Sequence, residues 1–321
     1  MALKAPFPWF GGKSRVAAVV WDRFGDVRNY VEPFAGSLAV LLGRPHEPGA
    51  ETVNDLDCYL ANFWRAVWSD PSAVAEWADS PVIEADLDAR HIWLVGRRDS
   101  LAASMHADPE FYDAKVAGWW VWGICSWIGS GFCSGDGPWR LVDGRFVSGD
   151  AGRGIHRKLP HLGDAGRGIH RQLPHLGTAG RGIEEWMLQL AGRLRRVRVA
   201  CGEWDRVLGE SVTVKHGLTG VFLDPPYSSD EHAVDYSAGS GDVASAVREW
   251  ALSNGDNPLL RIALCGYEGE HDMPGWTAHA WKAKGGYGSQ GSGRGRENAS
   301  RERIWFSPHC LKPLALFSEA S

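Results

Sequence analysis

Apolar positions mark the elements before any chemistry is considered. Val16, Val19, Val20 and Phe24 recur at helical spacing and predict a first helix, with Ser14 placed to cap it. Residues 29–37 read as a short strand running into a glycine turn, and 38–42 as an apolar helix behind it. Residues 51–57 read as a second strand ending in carboxylates. Phe63, Val67 and Trp68 share a face in a helical stretch over 61–77, and 82–104 predicts one or two further helices. The tryptophan block 119–127 predicts a buried helix. Residues 183–194 are helical, 195–200 alternate as a strand, and 221–223 form a continuous apolar run that ends abruptly. A helix over 243–253, a strand over 259–265 and a last strand from Arg303 complete the pattern. Strands alternating with helices predict a doubly wound α/β sheet, mostly parallel, with a mainly helical insert over 61–194.

The chain is organised around Val221-Phe-Leu-Asp-Pro-Pro-Tyr227. Pro225 and Pro226 donate no backbone hydrogen bonds, so the sheet ladder stops there and Asp224 sits at the carboxyl end of a strand. Open α/β sheets place their ligands at that end. One carboxylate and the stiffly held Pro225 carbonyl can accept both hydrogens of an exocyclic amine, and the Tyr227 ring can cover the face of a flipped-out base. A plain Pro-Pro turn, with Asp224 as a cap and Tyr227 as packing, uses the same residue types.

Other strand ends carry matching chemistry. In Glu32-Pro-Phe-Ala-Gly-Ser37, Gly36 allows a ligand close to the backbone. Asp55 follows that glycine turn at the distance expected of a carboxylate that binds ribose hydroxyls, while Asp57 suits a helix cap. Trp9-Phe-Gly-Gly-Lys13 stands ahead of the first helix and suits an anionic group at its amino end. It lacks the G-x-x-x-x-G-K spacing of a Walker phosphate loop. Glu203 and Trp204 follow a strand and can meet an adenine ring by hydrogen bond and packing.

Composition adjusts the picture in three places. A net charge of −5 confines any nucleic-acid contact to local basic patches. One such patch lies between residues 150 and 198, where ten Lys and Arg against four acids leave +6. It contains a 14-residue repeat over 150–177 carrying Arg153, Arg157, Lys158, Arg167 and Arg171. A second basic stretch, rich in glycine and serine, carries Arg294 and Arg296, and Phe132 offers a ring to stack on bases. The repeat's histidines lack carboxylate or cysteine neighbours at ligand spacing, so no metal is expected. Six scattered cysteines, no leader-like start and no membrane-length apolar run predict a cytoplasmic protein.

With these residues assembled, the chain resembles the Dam-like DNA adenine-N6 methyltransferase family, in particular its phage-borne members. Trp9 to Lys13 is similar to the family's amino-terminal cofactor motif, including Gly11 and Gly12. Glu32, Pro33, Phe34, Gly36 and Ser37 are similar to its cofactor loop. Asp55 corresponds to the ribose-binding acid, Glu203 and Trp204 to the adenine-side pair, and Asp224, Pro225, Pro226 and Tyr227 to the catalytic motif. Leu38 stands where the family often has a second glycine. The resemblance implies a Rossmann-like S-adenosylmethionine-dependent core from 1–60 and 195–321, with 61–194 as the DNA-recognition insert. It implies methyl transfer from S-adenosylmethionine to adenine N6 of a flipped-out base in double-stranded DNA, without metal or membrane. A place in restriction–modification also goes with it, and monomer or dimer stays open. Cytosine-N4 methylation by the same fold, an RNA or protein acceptor, and a non-catalytic DNA-binding module are the alternatives.

Overall fold

A computed structural model describes residues 3–7, 9, 13–108, 110–127, 132–133, 139–142, 145–148, 182–226, 240–281 and 301–312. The expectations for Gly11, Gly12, Tyr227, Arg294, Arg296 and the basic residues of the repeat lie outside these residues.

Helix α1 (Ala17–Phe24) leads to β1 (Asn29–Glu32), the one-turn α2 (Ala39–Leu42) and β2 (Ala50–Asp55). A helical run follows: α3 (Cys58–Ser69), α4 (Pro71–Ala78), α5 (Glu84–Val95), α6 (Arg98–Ala107) and α7 (Ala114–Ser126). A hairpin of β3 (Trp139–Val142) and β4 (Arg145–Ser148) precedes α8 (Ile183–Leu194) and β5 (Val197–Cys201). Then come β6 (Thr219–Leu223), α9 (Ser240–Asn254), β7 (Leu260–Tyr267), β8 (Thr277–Ala280) and β9 (Glu302–Phe306).

Among the described residues, seven strands form one sheet in the order β5-β2-β1-β6-β7-β9-β8. The first five pair in parallel, and β9 runs antiparallel to both β7 and β8. This is the mostly parallel α/β sheet that the alternation of elements predicts. Successive side chains of a strand face opposite sides. Thus Tyr30, Phe222, Ala263 and Cys265 join one apolar core, while Val31, Val221, Leu223, Ile262 and Leu264 join the other. Helix α9 contributes Val243, Val247 and Ala251 to the second core.

The first core is continuous through the helical run. It holds Val20, Trp21 and Phe24 of α1, Phe63 and Trp64 of α3, Val74 of α4, Trp120 of α7, and Met187 and Leu190 of α8. Helix α3 packs on β2 and β5, and α8 packs on α3 and α4. The boundaries expected at residues 60 and 195 therefore do not separate two cores. The first falls inside α3, and the second falls directly after α8, which packs on α3 and α4.

Local chemistry explains where the helices break. The stretch expected to be helical over 61–77 is interrupted at Asp70, whose side chain accepts the Ala73 N–H at 3.1 Å, with Pro71 opening α4. Asp113 caps α7 in the same way through Val116. Asp57 caps α3 by accepting the Tyr59 N–H at 2.9 Å. Ser14, by contrast, is exposed and does not cap α1; Val16 occupies that position without a side-chain bond. Among the described residues, no helix is long and apolar enough to cross a membrane.

One ion cluster ties the helical run to the sheet. Glu51 of β2 is fully buried and accepts Arg193 of α8 at 2.6 and 2.9 Å. Its Oε1 also accepts Arg44 at 3.2 Å. The two arginines further donate to the Val27 and Leu41 carbonyls, so each guanidinium is fixed to backbone as well as to the carboxylate.

Candidate active site

The sheet changes direction between β1 and β6. From β1 the chain proceeds outward through β2 to β5, and from β6 it proceeds the other way through β7. Such a switch point opens a crevice beyond the carboxyl ends of its strands. Val31 of β1 lies beside Val221 of β6, so Glu32 to Gly36 and Asp224 to Pro226 leave the sheet side by side. The neighbouring β2 ends in Asp55.

Gly36 has φ +46°, the left-handed region that suits glycine. A Cβ on it would stand 2.5 Å from Nε1 of Trp9. Trp9 lies on this turn with Phe7 and Trp120 against it; its ring centroid is 6.2 Å from that of Trp120 and 5.9 Å from that of Phe7. The Gly36 N–H donates to Asp55 Oδ2 at 3.0 Å, and the Asp57 N–H donates to Asp55 Oδ1 at 2.9 Å. Burial pushes the Asp55 carboxyl up to about 7, although these N–H bonds work against the rise. Asn54 donates to the Pro33 and Gly202 carbonyls and so joins the ends of β1 and β5. Its buried Oδ1 has no donor among the described residues.

Phe34 stacks on Trp204, centroids 6.3 Å apart and planes within 22°. This places Trp204 over the cofactor-loop motif, with Glu203 exposed beside it and Ser37 half-buried at the turn. Leu38 has φ 55° and ψ 27°, also left-handed, and its side chain is fully buried. Leu38 thus stands at a glycine-type backbone position. Leucine occupies it while filling the core.

At the β6 end, Lys13 meets Asp224: Nζ to Oδ2 is 2.9 Å. Lys13 is only 5% exposed. Lys13 is therefore paired with the chain's own Asp224. Burial alone would lower the Lys13 ammonium's affinity for its proton; Asp224, Cys265 and Glu302 outweigh it and hold the group well above the ordinary lysine range. Glu302 Oε2 stands 4.0 Å from the same Nζ, and the Trp281 ring centroid 5.6 Å away.

Glu32, expected at the cofactor, is buried, and its Oε2 accepts the Tyr30 hydroxyl at 2.9 Å. Burial, reinforced by nearby Asp224 and Asp55, pushes its carboxyl well above the usual range despite the Tyr30 and Leu41 hydrogen bonds. Its contacts give it a structural place under the turn.

Phe132 also departs from expectation. Its ring packs against those of His91 and Trp127, with centroids 5.3 Å from each, and against Gly123 of α7. These contacts occupy the ring expected to stack on bases. Tyr30 lies two residues before Glu32 on β1, whereas Cys265, Trp281 and Glu302 reach the site through the pairing of β7, β8 and β9. Only the order β6-β7-β9 brings Cys265 and Glu302 beside Asp224 and Lys13.

Among the described residues, no group of three His, Cys, Asp or Glu side chains could hold a metal. Among curated proteins, none matches the chain. Residues 9–89 match the family described as D12 class N6 adenine-specific DNA methyltransferase. That span contains Trp9, Lys13, the Glu32 to Ser37 turn and Asp55, and with the mostly parallel sheet it supports membership of the Dam-like adenine methyltransferases.

Proposed function

We propose that the chain moves a methyl group from S-adenosylmethionine to the N6 amine of an adenine flipped out of double-stranded DNA. The observation that carries this reading is the switch-point pairing of a glycine turn and Asp55 with an Asp-Pro-Pro end held by a buried lysine. Gly36, Trp9, Asp55, Asn54 and the Phe34–Trp204 stack fit a nucleoside-bearing cofactor: they offer a backbone approach, a carboxylate for ribose hydroxyls and an aromatic wall. S-adenosylmethionine, when bound, supplies an activated methyl group.

The rest is the protein's work. An exocyclic amine is a poor nucleophile because its lone pair is delocalised into the ring. Accepting its two hydrogens on Asp224 and the Pro225 carbonyl favours a tetrahedral nitrogen and localises the pair. Positive charge then develops on nitrogen beside a fixed carboxylate, a preorganised electrostatic stabilisation. Pro225 and Pro226 hold both acceptors at one geometry, and Tyr227 is assigned to cover the base. The proton leaves the nitrogen after attack.

Binding of DNA is assigned to the insert and to the basic stretches of the sequence. The helical run adds a further basic and aromatic face. Arg97 lies 4.0 Å from the Trp93 ring centroid, and Lys115 lies 4.3 Å from that of Trp119.

Two predictions test the cofactor side. Gly36→Ala forces a methyl group onto Trp9 at a left-handed backbone position. Affinity for S-adenosylhomocysteine, measured by calorimetry, should fall about 5- to 150-fold, because strain of about 1–3 kcal/mol must be relieved by moving the turn. Unchanged affinity would remove the turn from the cofactor site. Second, a carboxyl that titrates at about 7 accepts ribose hydroxyls fully only when ionised. Affinity should therefore rise about tenfold from pH 6 to pH 8. The Asp55→Asn variant should show a flat profile, and an equally steep one would assign the titration elsewhere.

The acceptor class is tested with labelled S-adenosylmethionine and three substrates: duplex DNA, RNA and total protein. Label in DNA alone supports the reading. Label confined to RNA or protein overturns it.

A further inference from the structure

We propose that Glu302 is a positioning residue for this reaction, the second seat of the Lys13 ammonium when the base amine takes up Asp224. The inference rests on the function proposed above.

It arises from a conflict at Asp224. That carboxylate is to receive an amine, yet its Oδ2 already binds Lys13 at 2.9 Å. Lys13 cannot simply let go, because it is buried, and a buried ammonium stripped of its anion costs several kcal/mol. Glu302 resolves the conflict. Its Oε2 is 4.0 Å from the same Nζ, about 1 Å beyond a charge-assisted hydrogen bond. Movement of the ammonium by that amount exchanges one carboxylate for the other without returning the charge to water.

The setting suits an exchange. Glu302 is 5% exposed and opens β9, paired opposite Tyr267 of β7, so it belongs to the sheet. The Trp281 N–H donates to the Glu302 carbonyl at 3.2 Å, and the Trp281 ring bounds the space around Nζ. Lys13 lies in the 3-10 turn Lys13–Arg15, from which a long flexible side chain reaches both acids. No proton moves: Lys13 remains an ammonium on either seat. What changes is the charge Asp224 presents. With Lys13 on Glu302, its full negative charge faces the nitrogen as positive charge develops there. Glu302 acts through Lys13 and touches neither the base nor the cofactor.

The test uses the full chain with duplex DNA under single turnover, after the wild type's transfer has been measured. Glu302→Gln keeps the shape and removes the charge. It should slow transfer about 10- to 100-fold, leave S-adenosylhomocysteine affinity within twofold, and leave the DNA KM nearly unchanged. Glu302→Asp, which keeps the charge but draws it back by one methylene, should give an intermediate rate, and stands in should the glutamine variant not fold. Because Glu302 works only through Lys13, Lys13→Met with Glu302→Gln should be no slower than Lys13→Met alone. A wild-type rate in Glu302→Gln, or additive losses in the double variant, would overturn the proposal. A wild type that methylates nothing would overturn the functional reading, and this inference with it.

Discussion

Asp224→Ala should lower the single-turnover rate of methyl transfer about a thousandfold or more, while S-adenosylhomocysteine still binds within a few-fold of the wild type. The size follows from the role. Removing one preorganised group from a developing charge costs about 100- to 1000-fold, and Asp224 is both an acceptor for the amine and the anion beside it. Cofactor binding survives because its proposed contacts lie on β1, β2 and the segment after β5. Lys13 keeps Glu302 as a neighbour at 4.0 Å, so the alanine variant does not strand a buried ammonium. Stopped-flow or quench measurements of transfer, paired with calorimetry, separate the two effects. Turnover within tenfold of wild type would remove Asp224 from the mechanism. Equal loss of binding and transfer would make it a structural residue of the turn.

The largest effect on stability should come from a residue far from the chemistry. Glu51→Ala should destabilise the fold by about 3–5 kcal/mol, the typical cost of stripping a buried charge of its partner. Glu51 has no exposed side-chain surface, and Arg44 has 1%. Its loss removes the anion that the two guanidiniums share and leaves Arg44 only the exposed Asp26 at 4.0 Å. The remaining bonds to Val27 and Leu41 carbonyls offset only part of that. Arg193 is the tie between α8 and β2, so the effect should appear as loosened docking of α8 as well as a lower midpoint in urea. Hydrogen exchange across 183–194 would show it. A midpoint change worth less than about 1 kcal/mol would mean that the cluster is relaxed by water or by movement of Arg193.

The parts of the fold visible in the sequence are those written in local patterns. The apolar run 221–223, cut off by two prolines, is β6, and Asp224 stands at its end. Asp57 as cap and Asp55 as strand-end acid are also local, because each depends on neighbours two or three residues away. The division of 61–77 into α3 and α4 was legible too, in Asp70-Pro71, but the apolar periodicity across it masked the break. What the sequence did not disclose depends on pairing across the sheet. Glu302 lies 78 positions beyond Asp224, and only the antiparallel insertion of β9 beside β7 brings it to Lys13. The same holds for Lys13, whose partner is on a strand more than 200 residues away. Phe132 shows the reverse case: a ring in a glycine- and serine-rich stretch looks available, yet Gly123 leaves room for it on α7 and the His91 and Trp127 rings pack against it at tilted angles. Leu38 could not be judged from sequence, because its left-handed backbone and its buried side chain pull the residue choice in opposite directions.

The central claim is that the amine held at Asp224 belongs to an adenine. Nucleoside mass spectrometry tests it most directly. Unmethylated genomic DNA is incubated with the purified chain and S-adenosylmethionine, digested to nucleosides, and compared with a parallel Asp224→Ala reaction. N6-methyladenine is expected in the first digest and none above background in the second. N4-methylcytosine in its place, or N6-methyladenine formed equally by both proteins, would contradict it.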